Sequence, residues 1–234
     1  MTTSRVKLNI DVVIPAYNEE RSIAKVLGEI PSDLVRNVIV ANNASTDNTA
    51  DVAREGGAVV VDQPMKGYGN ACLKGLEYIK SVKQEPDIVV FMDGDYSDYP
   101  EEMVKLIAPI IHKKMDLVIG SRAKGDMEKG SMTPQQIFGN WLATNLIRIL
   151  YKYEFTDLGP FRAIRYDALK KIDMQDKDFG WTVEMQVKAA KYKMNCIEVP
   201  VRYRKRIGVS KVSGTVKGTI LAGHKILWTI FKLL

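Results

Sequence analysis

Histidine and cysteine are scarce in this chain of 234 residues, with two of each. Cys72 and Cys196 have no metal-binding spacing and no disulfide framework, so reduced thiols are the expected state. With only His112 and His224 present, a histidine-based nucleophile triad and a multi-histidine metal site are both excluded, and acid–base or metal chemistry must rest on carboxylates. No Walker A run occurs, which removes P-loop nucleotidases. No Gly-x-Gly-x-x-Gly follows the first strand pattern, which removes dinucleotide enzymes. Apolar runs fall short of the ~18 residues a spanning helix needs. Residues 1–7 are polar, so no signal segment is expected. Repeats and low-complexity stretches are also absent.

What the chain has is a core-forming composition and a lopsided charge. It is 46% hydrophobic and 26% charged, enough to bury a substantial interior. The net charge of +6 divides into +10 over residues 188–234 and −4 over the rest. Such a local basic segment suits a nucleic acid, a membrane surface or a phosphorylated substrate.

Hydrophobic periodicity predicts an alternation of strands and helices through residue 120. Strands are expected at 8–15, 35–40, 58–61, 88–92 and 117–120. Helices are expected from Ile23 to Ile30, after the cap-rich run 45–49 as far as Gly56-Gly57, after 66–70 through Ile79, and from about 101 to 113. This pattern calls for an α/β fold with a mostly parallel sheet and helices on both faces. Ligands of such sheets bind at the carboxyl ends of the strands, where the loops 18–20, 42–47, 66–70 and 93–98 all fall. Farther on, the reading gives a mobile loop at 123–134, a long helix at 135–153, a strand at 161–165, a helix at 181–192, a last strand at 196–202 and a terminal amphipathic helix at 216–234. No linker divides the chain, so a single domain over 1–234 is expected.

Four loops carry the candidate chemistry. Asp93-Gly94-Asp95 follows a buried strand, and two carboxylates around a glycine can approach one hard cation such as Mg²⁺ or Mn²⁺ together with diphosphate oxygens. An ordinary Asp-Gly turn is the plain alternative. An EF-hand is excluded because Asp98 and Val104 stand where Gly and Glu are required. The run Asn42-Asn43-Ala44-Ser45-Thr46-Asp47-Asn48-Thr49 holds more polar side chains than a helix cap needs and suits a nucleoside pocket, with Asp47 accepting from base or ribose. Lys66-Gly67-Tyr68-Gly69-Asn70 reads either as a diphosphate contact or as a flexible loop. The stretch Arg202-Tyr203-Arg204-Lys205-Arg206, followed by Gly208 and Ser210-Lys211, suits phosphate binding as well as it suits a solvated charge run. In the terminal helix, Ile220, Gly223, Leu227, Ile230 and Leu234 share one face, with Trp228 and Phe231 widening it. That face can pack on the core or lie on a membrane interface.

With these residues in view, the sequence resembles the family 2 glycosyltransferases of GT-A fold, most closely the dolichyl- and polyprenyl-phosphate hexose synthases. The segments that carry the resemblance are Val13-Ile-Pro-Ala-Tyr-Asn-Glu19, Asn43-Ala-Ser-Thr-Asp47-Asn-Thr49, Met92-Asp-Gly-Asp95 with Pro100-Glu101, Gly120-Ser-Arg122, Gly159-Pro-Phe-Arg162, Gly180-Trp181, Glu198-Val-Pro200 and Arg206-Ile-Gly-Val-Ser210-Lys211. The resemblance implies a doubly wound, mostly parallel Rossmann-like sheet with an added C-terminal amphipathic helix. Residues 1–120 would form the nucleotide-sugar half and 121–215 the acceptor half. It implies donor contacts from Pro15, Tyr17, Glu19, Asn43, Asp47, Lys66, Gly67 and Asp93. The metal would sit on Asp93 and Asp95. Arg122, Arg162, Trp181, Arg206, Ser210 and Lys211 would meet the acceptor or its phosphate. The implied reaction is an inverting transfer of a hexose from a UDP- or GDP-sugar to a lipid phosphate on a cytosolic membrane face.

The chain departs from the family pattern at three places. Asn42-Asn43 replaces paired aspartates, Ser97-Asp98 replaces Gln-His, and Glu184 stands where relatives tend to have Gln. A hydroxyl acceptor would need a base, and Glu184 is the candidate. A nucleotidyltransferase is disfavoured because the loop after the first strand, Ala16-Tyr-Asn-Glu-Glu20, lacks glycine and is acidic. A nucleic-acid-binding role for the basic segment is disfavoured by the absence of a stacking-aromatic platform.

Overall fold

The computed structural model describes residues 8–208 and 216–234. The strands are β1 Ile10–Ala16, β2 Asn37–Asn42, β3 Val59–Asp62, β4 Ile88–Phe91, β5 Leu117–Ser121, β6 Arg162–Arg165 and β7 Cys196–Pro200. The helices are α1 Ile23–Glu29, α2 Thr49–Glu55, α3 Tyr68–Ser81, α4 Met103–Lys113, α5 Pro134–Tyr151, α6 Tyr166–Ile172, α7 Trp181–Lys191 and α8 Val216–Lys232. All seven strands join one sheet in the order β3-β2-β1-β4-β6-β5-β7. Every neighbouring pair is parallel except those of β6, which runs antiparallel to β4 and β5. This is the mixed α/β, mostly parallel sheet the alternation calls for.

The sheet has two apolar faces because strand side chains alternate. Val13, Ile39, Phe91 and Ile164 point to one face and pack with Leu76, Ile147, Trp181 and Ile230. On the other, Val12, Ile14, Val40 and Val90 pack with Ile23, Ala53, Met103 and Leu106. Strand β4 is buried on both sides along its whole length, as an interior strand of a covered sheet must be. Because β1, β2, β4 and β5 run in one direction, their carboxyl ends fall on one edge. Reversed β6 presents its amino end there, with Arg162 opposite Phe91 on one side and Ile119 on the other.

Several differences from the periodicity have physical causes. Helix α6 interrupts a stretch with no predicted element; its buried Tyr166, Ala168, Leu169 and Ile172 crowd one short turn pattern. A 3-10 turn at Pro100–Glu102 precedes α4, which begins at Met103 rather than at 101. The expected mobile loop after Ser121 is tied down: Met127 bridges Tyr203, Tyr203 N donates to Asp126 O at 2.9 Å, and Glu128 N donates to Tyr203 O at 2.8 Å.

Helix α8 packs on the protein. Thr229 and Ile230 are buried, Tyr151 Oη donates to Ile230 O, and Lys225 pairs with the half-buried Asp176 at 2.9 Å. Its other side leaves Ile220, Leu221, Trp228, Phe231 and Leu234 exposed, so the helix both packs and presents an apolar face.

Candidate active site

A cavity of about 620 Å³ opens at the carboxyl edge of the sheet, within the size range of small-molecule sites. Of the residues singled out in the sequence, Pro15, Tyr17, Glu19, Asn43, Lys66, Gly67, Asp93, Asp95, Arg122 and Arg206 line it.

Its first wall is built by loops that lock onto each other. Asn18 sits at φ 55°, a left-handed conformation asparagine tolerates. From there its Oδ1 accepts from Thr46 N at 2.8 Å, while its own N donates to Ser45 Oγ at 3.0 Å. Asp47 accepts from Thr49 N at 3.0 Å and Glu20 N at 3.3 Å. It is absent from the cavity lining, so it holds two loops together instead of presenting its carboxylate to a nucleoside. Asn43, buried, accepts from Gly67 N at 2.9 Å and donates to Met65 O at 2.8 Å, fixing the loop that carries Lys66. The Lys66 ammonium lies 4.7 Å from the Tyr17 ring centre and 2.9 Å from its hydroxyl. The glycines of that loop have a packing reason. A Cβ on Gly67, at φ 139°, would come within 2.3 Å of Lys177 O, and one on Gly69 within 2.0 Å of Asp176 O. The 176–177 backbone therefore presses directly on the start of α3.

The floor is the loop after β4. Asp93 Oδ1 accepts from Tyr68 Oη at 3.1 Å. Burial raises the Asp93 pKa, and the Arg206 cation opposes the rise. Asp95 is buried; its Oδ1 accepts from Ser97 N at 2.8 Å and Ser97 Oγ at 2.5 Å, and its Oδ2 is ion-paired with Arg206. Asp98, also buried, has its pKa pushed up to about 7, first by burial and then by the Asp93 charge; its Oδ1 has no partner among the described residues. Hard oxygen donors, one buried carboxylate oxygen left unsatisfied, and a guanidinium already resting on Asp95 all mark a place that attracts positive charge. Among the described residues no three carboxylate, histidine or cysteine side chains gather to form a complete metal cage. Two carboxylates are what a magnesium- or manganese-type site needs when phosphate oxygens complete it. The residues therefore fit such an ion, with Asp93 and Asp95 as its holders.

The basic stretch after β7 forms a strap across this floor. Arg204 N donates to Ser97 O at 3.0 Å, and Ile207 N to Asp95 O at 2.9 Å. The Arg204 guanidinium stacks on Tyr96 and Tyr99 and pairs with Glu29 at 2.8 Å. Arg202 pairs with Glu101 and Glu102, and Lys205 lies 3.5 Å from Glu128. Arg202, Arg204 and Lys205 are thus matched by acids of this chain, whereas Arg206, paired with Asp95, lines the cavity. Ser210 and Lys211 lie outside the described residues.

The second wall holds Arg122. Its guanidinium grips Asp157 through Nε at 2.8 Å and Nη2 at 2.6 Å. Burial works against its charge, yet Asp157 outweighs that and raises its pKa. Glu198 in turn accepts from Thr156 N at 2.7 Å and Asp157 N at 3.1 Å. Three other singled-out residues stay out of the cavity lining. Arg162 is fully buried and spends its donors on the carbonyls of Leu158, Gly159 and Thr182; burial lowers its pKa to about 10. Trp181 packs edge-on against Phe91 at 5.8 Å in the core. Glu184 accepts from Gln175 N at 3.0 Å and Asp176 N at 2.7 Å and pairs with Lys188 at 2.8 Å. That carboxylate shapes the 175–176 turn and stays outside the cavity lining. The sequence reading also missed Tyr68 and Asp178, which line the cavity. A tyrosine one residue after Gly67 and an aspartate before a helix were legible as loop residues, without any sign of where they pointed.

The model of glycosyl transferase family 2 matches residues 11–173. The chain belongs to that family. An uncharacterized glycosyltransferase of Mycobacterium tuberculosis is 34% identical over 215 residues, spanning 91% of this chain and 94% of the relative. The undecaprenyl-phosphate mannosyltransferase of Micrococcus luteus is 29% identical over 223 residues, spanning 90% of each. Among solved structures, glucosyl-3-phosphoglycerate synthase from Mycobacterium tuberculosis, in complex with Mn²⁺, UDP-glucose and phosphoglyceric acid, superposes with a TM-score of 0.75 at 21% identity, covering 97% of this chain and 79% of that one. That likeness is one of fold: both are GT-A glycosyltransferase sheets. In this family 2 glycosyltransferase the cavity lies at the carboxyl edge of the sheet, where ligands of such sheets bind.

Proposed function

We propose that the protein transfers a hexose, with inversion, from a UDP- or GDP-sugar to a polyprenyl or dolichyl phosphate. The observation that carries this reading is the charge of the cavity. Two carboxylates, Asp93 and Asp95, stand on its floor, while Arg122 and Arg206 line the side reached from the acceptor half. The first pair suits a donor diphosphate with its Mg²⁺ or Mn²⁺, and the second suits a phosphate that is not part of the donor. When bound to Asp93 and Asp95, the ion would neutralise the charge developing on the leaving diphosphate. Pro15, Tyr17, Asn43 and Lys66 would hold the nucleoside. Arg122, fixed by Asp157, would orient the acceptor. An acceptor phosphate oxygen attacks the anomeric carbon, and the bond to the nucleoside diphosphate breaks with its electron pair going to the diphosphate. A phosphate monoester is already anionic near neutral pH, so no residue has to remove a proton. The undecaprenyl-phosphate substrate named for the Micrococcus relative supports this choice.

A hydroxyl acceptor is the second reading, and one observation favours it. Asp178 lines the cavity, and burial, with help from Asp176, raises its pKa, the property wanted of a general base. It replaces Glu184 in that role. No helix among the described residues is long and apolar enough to cross a membrane. The exposed apolar residues of α8 suit docking on a membrane surface, where a lipid acceptor would be met from the cytosolic side.

The test supplies purified protein with Mn²⁺ and a panel of UDP- and GDP-sugars, with undecaprenyl phosphate or 3-phosphoglycerate as acceptor, and follows labelled sugar into the organic or aqueous phase. Label in the organic phase is expected. Label only in the aqueous phase would move the assignment to a soluble acceptor.

A further inference from the structure

A second cavity of about 480 Å³ lies between α5 and α8. Its walls are almost entirely apolar, with Phe138 and Leu142 on α5 and Ile226 and Leu227 on α8. It is not separate from the candidate active site. Gln135, Gly139, Gly223 and Ile226 line both cavities, so the trough runs into the acceptor end of the main one.

Two of the shared residues are glycines in helix interiors, one on each helix. Glycine there weakens a helix relative to alanine. A close backbone approach is the usual reason to keep it, and neither glycine has one: a Cβ on Gly139 or Gly223 would meet no heavy atom within 4 Å. What both positions share is the junction, where any larger side chain would stand in the passage. Phe138 in the trough wall is exposed, as are Ile137, Trp141 and Ile149 elsewhere on α5 and Leu221, Trp228 and Phe231 elsewhere on α8. Exposed apolar surface of that extent marks contact with something apolar.

We propose that the α5–α8 trough seats the first isoprene units of the acceptor's hydrocarbon chain, with Gly139 and Gly223 keeping the passage to the phosphate end open. The inference rests on the polyprenyl-phosphate reading above. Continuity selects the occupant: a molecule whose anionic head meets Arg122 and whose body is apolar would leave the main cavity along this path.

The experiment uses the full chain carrying Gly139→Leu, Gly223→Leu or both. These leucines enter open space and favour helix, so the melting temperature should equal or exceed that of the unmodified protein, and UDP–Mn²⁺ binding is measured alongside because both glycines also line the main cavity. KM is measured for undecaprenyl phosphate and for dimethylallyl phosphate, which has one isoprene unit. The unmodified enzyme should prefer the long chain. The double variant should lose that preference by about tenfold or more, read as the ratio of the two KM values, since excluding even two buried CH₂ groups has an effect of that order. A double variant that folds, binds donor and keeps the full long-chain preference overturns the proposal while leaving the acceptor reading intact. If the unmodified enzyme hydrolyses its donor but accepts no prenyl phosphate of any length, the acceptor reading fails, and the trough assignment falls with it. Should the unmodified protein self-associate and the double variant sediment as a monomer with unchanged KM values, the trough is an interface between copies instead.

Discussion

The two walls of the cavity are held by different forces. On the donor side, Asn18, Asn43, Ser45 and Thr49 bond mostly to backbone groups of neighbouring loops, with Asp47 as the main charged member. The acceptor side rests on ion pairs: Arg122 with Asp157, Arg206 with Asp95, Arg204 with Glu29 and Lys124 with Glu198. Many modest hydrogen bonds give a preformed pocket in which losing any one matters little. Among these only Arg122–Asp157 is buried at both ends, and there removing one partner leaves the other stranded. The donor side is therefore built to be rigid, and the acceptor side is sensitive to charge.

Changes to the floor between the walls should have the largest effect. Asp95→Ala is expected to lower transfer by about 10²–10³ and to weaken Mn²⁺ binding, while circular dichroism shows an intact fold. Unchanged turnover, or full activity in excess EDTA, would remove the metal from the account. Next comes the acceptor wall: Asp157→Asn should destabilise by about 3–5 kcal/mol, because buried Arg122 keeps its charge without a partner. Its donor-side counterpart, Asp47→Ala, should cost only about 1 kcal/mol for its lost capping bonds. Equal losses in urea titrations would erase the contrast between the walls. Glu184→Gln should cost about 1–2 kcal/mol and change kcat by no more than a few-fold. A rate loss near 10³ in a folded variant would restore Glu184 as a base.

The smallest expected effect is a pH dependence. Asp98 has a raised pKa in the folded state, so the folded protein binds that proton more tightly than the unfolded chain. Its contribution to stability is therefore present at low pH and lost as pH rises from the ordinary carboxylate range toward about 7. Asp98→Asn should consequently raise the melting temperature at pH 8 more than at pH 5 in metal-free buffer. An equal shift at both pH values would show that Asp98 does not titrate in this range.

How far the sequence could be read follows the same division. In the first half each parallel strand delivers its following loop to the ligand edge, so the loops of Asn43, Lys66, Asp93 and Asp95 could be placed from the strand ends, while Pro15 and Tyr17 were named through the family resemblance. Even there, Asp47 shows that a polar residue in the right loop can face the next loop instead of the cavity. In the second half position along the chain says less. Arg162 lies on a strand whose reversal is not written in its periodicity, and that strand sits between two others, so its guanidinium is enclosed. Trp181 and Glu184 lie on α7, whose buried face includes both. Arg202 and Arg204 read as anion contacts because their partners, Glu29, Glu101 and Glu102, lie far away in sequence; of that run Arg206 lines the cavity. Gly139 carries no sequence signal and Gly223 only a place on the shared face of the terminal helix, since their meaning is the space beside them.

Strand β6 has a consequence for how the protein is made. It fills the gap between β4 and β5 and pairs Ile88 with Arg165, a partner synthesised long after. Until residues 162–165 leave the ribosome, β4 has a bare, wholly apolar edge, Ile-Val-Val-Phe. Such edges recruit other strands, and nascent chains expose them for seconds at ordinary elongation rates. Translation that stalls between β5 and β6 should therefore yield an aggregation-prone fragment, even though that fragment already holds nearly every residue of the donor pocket.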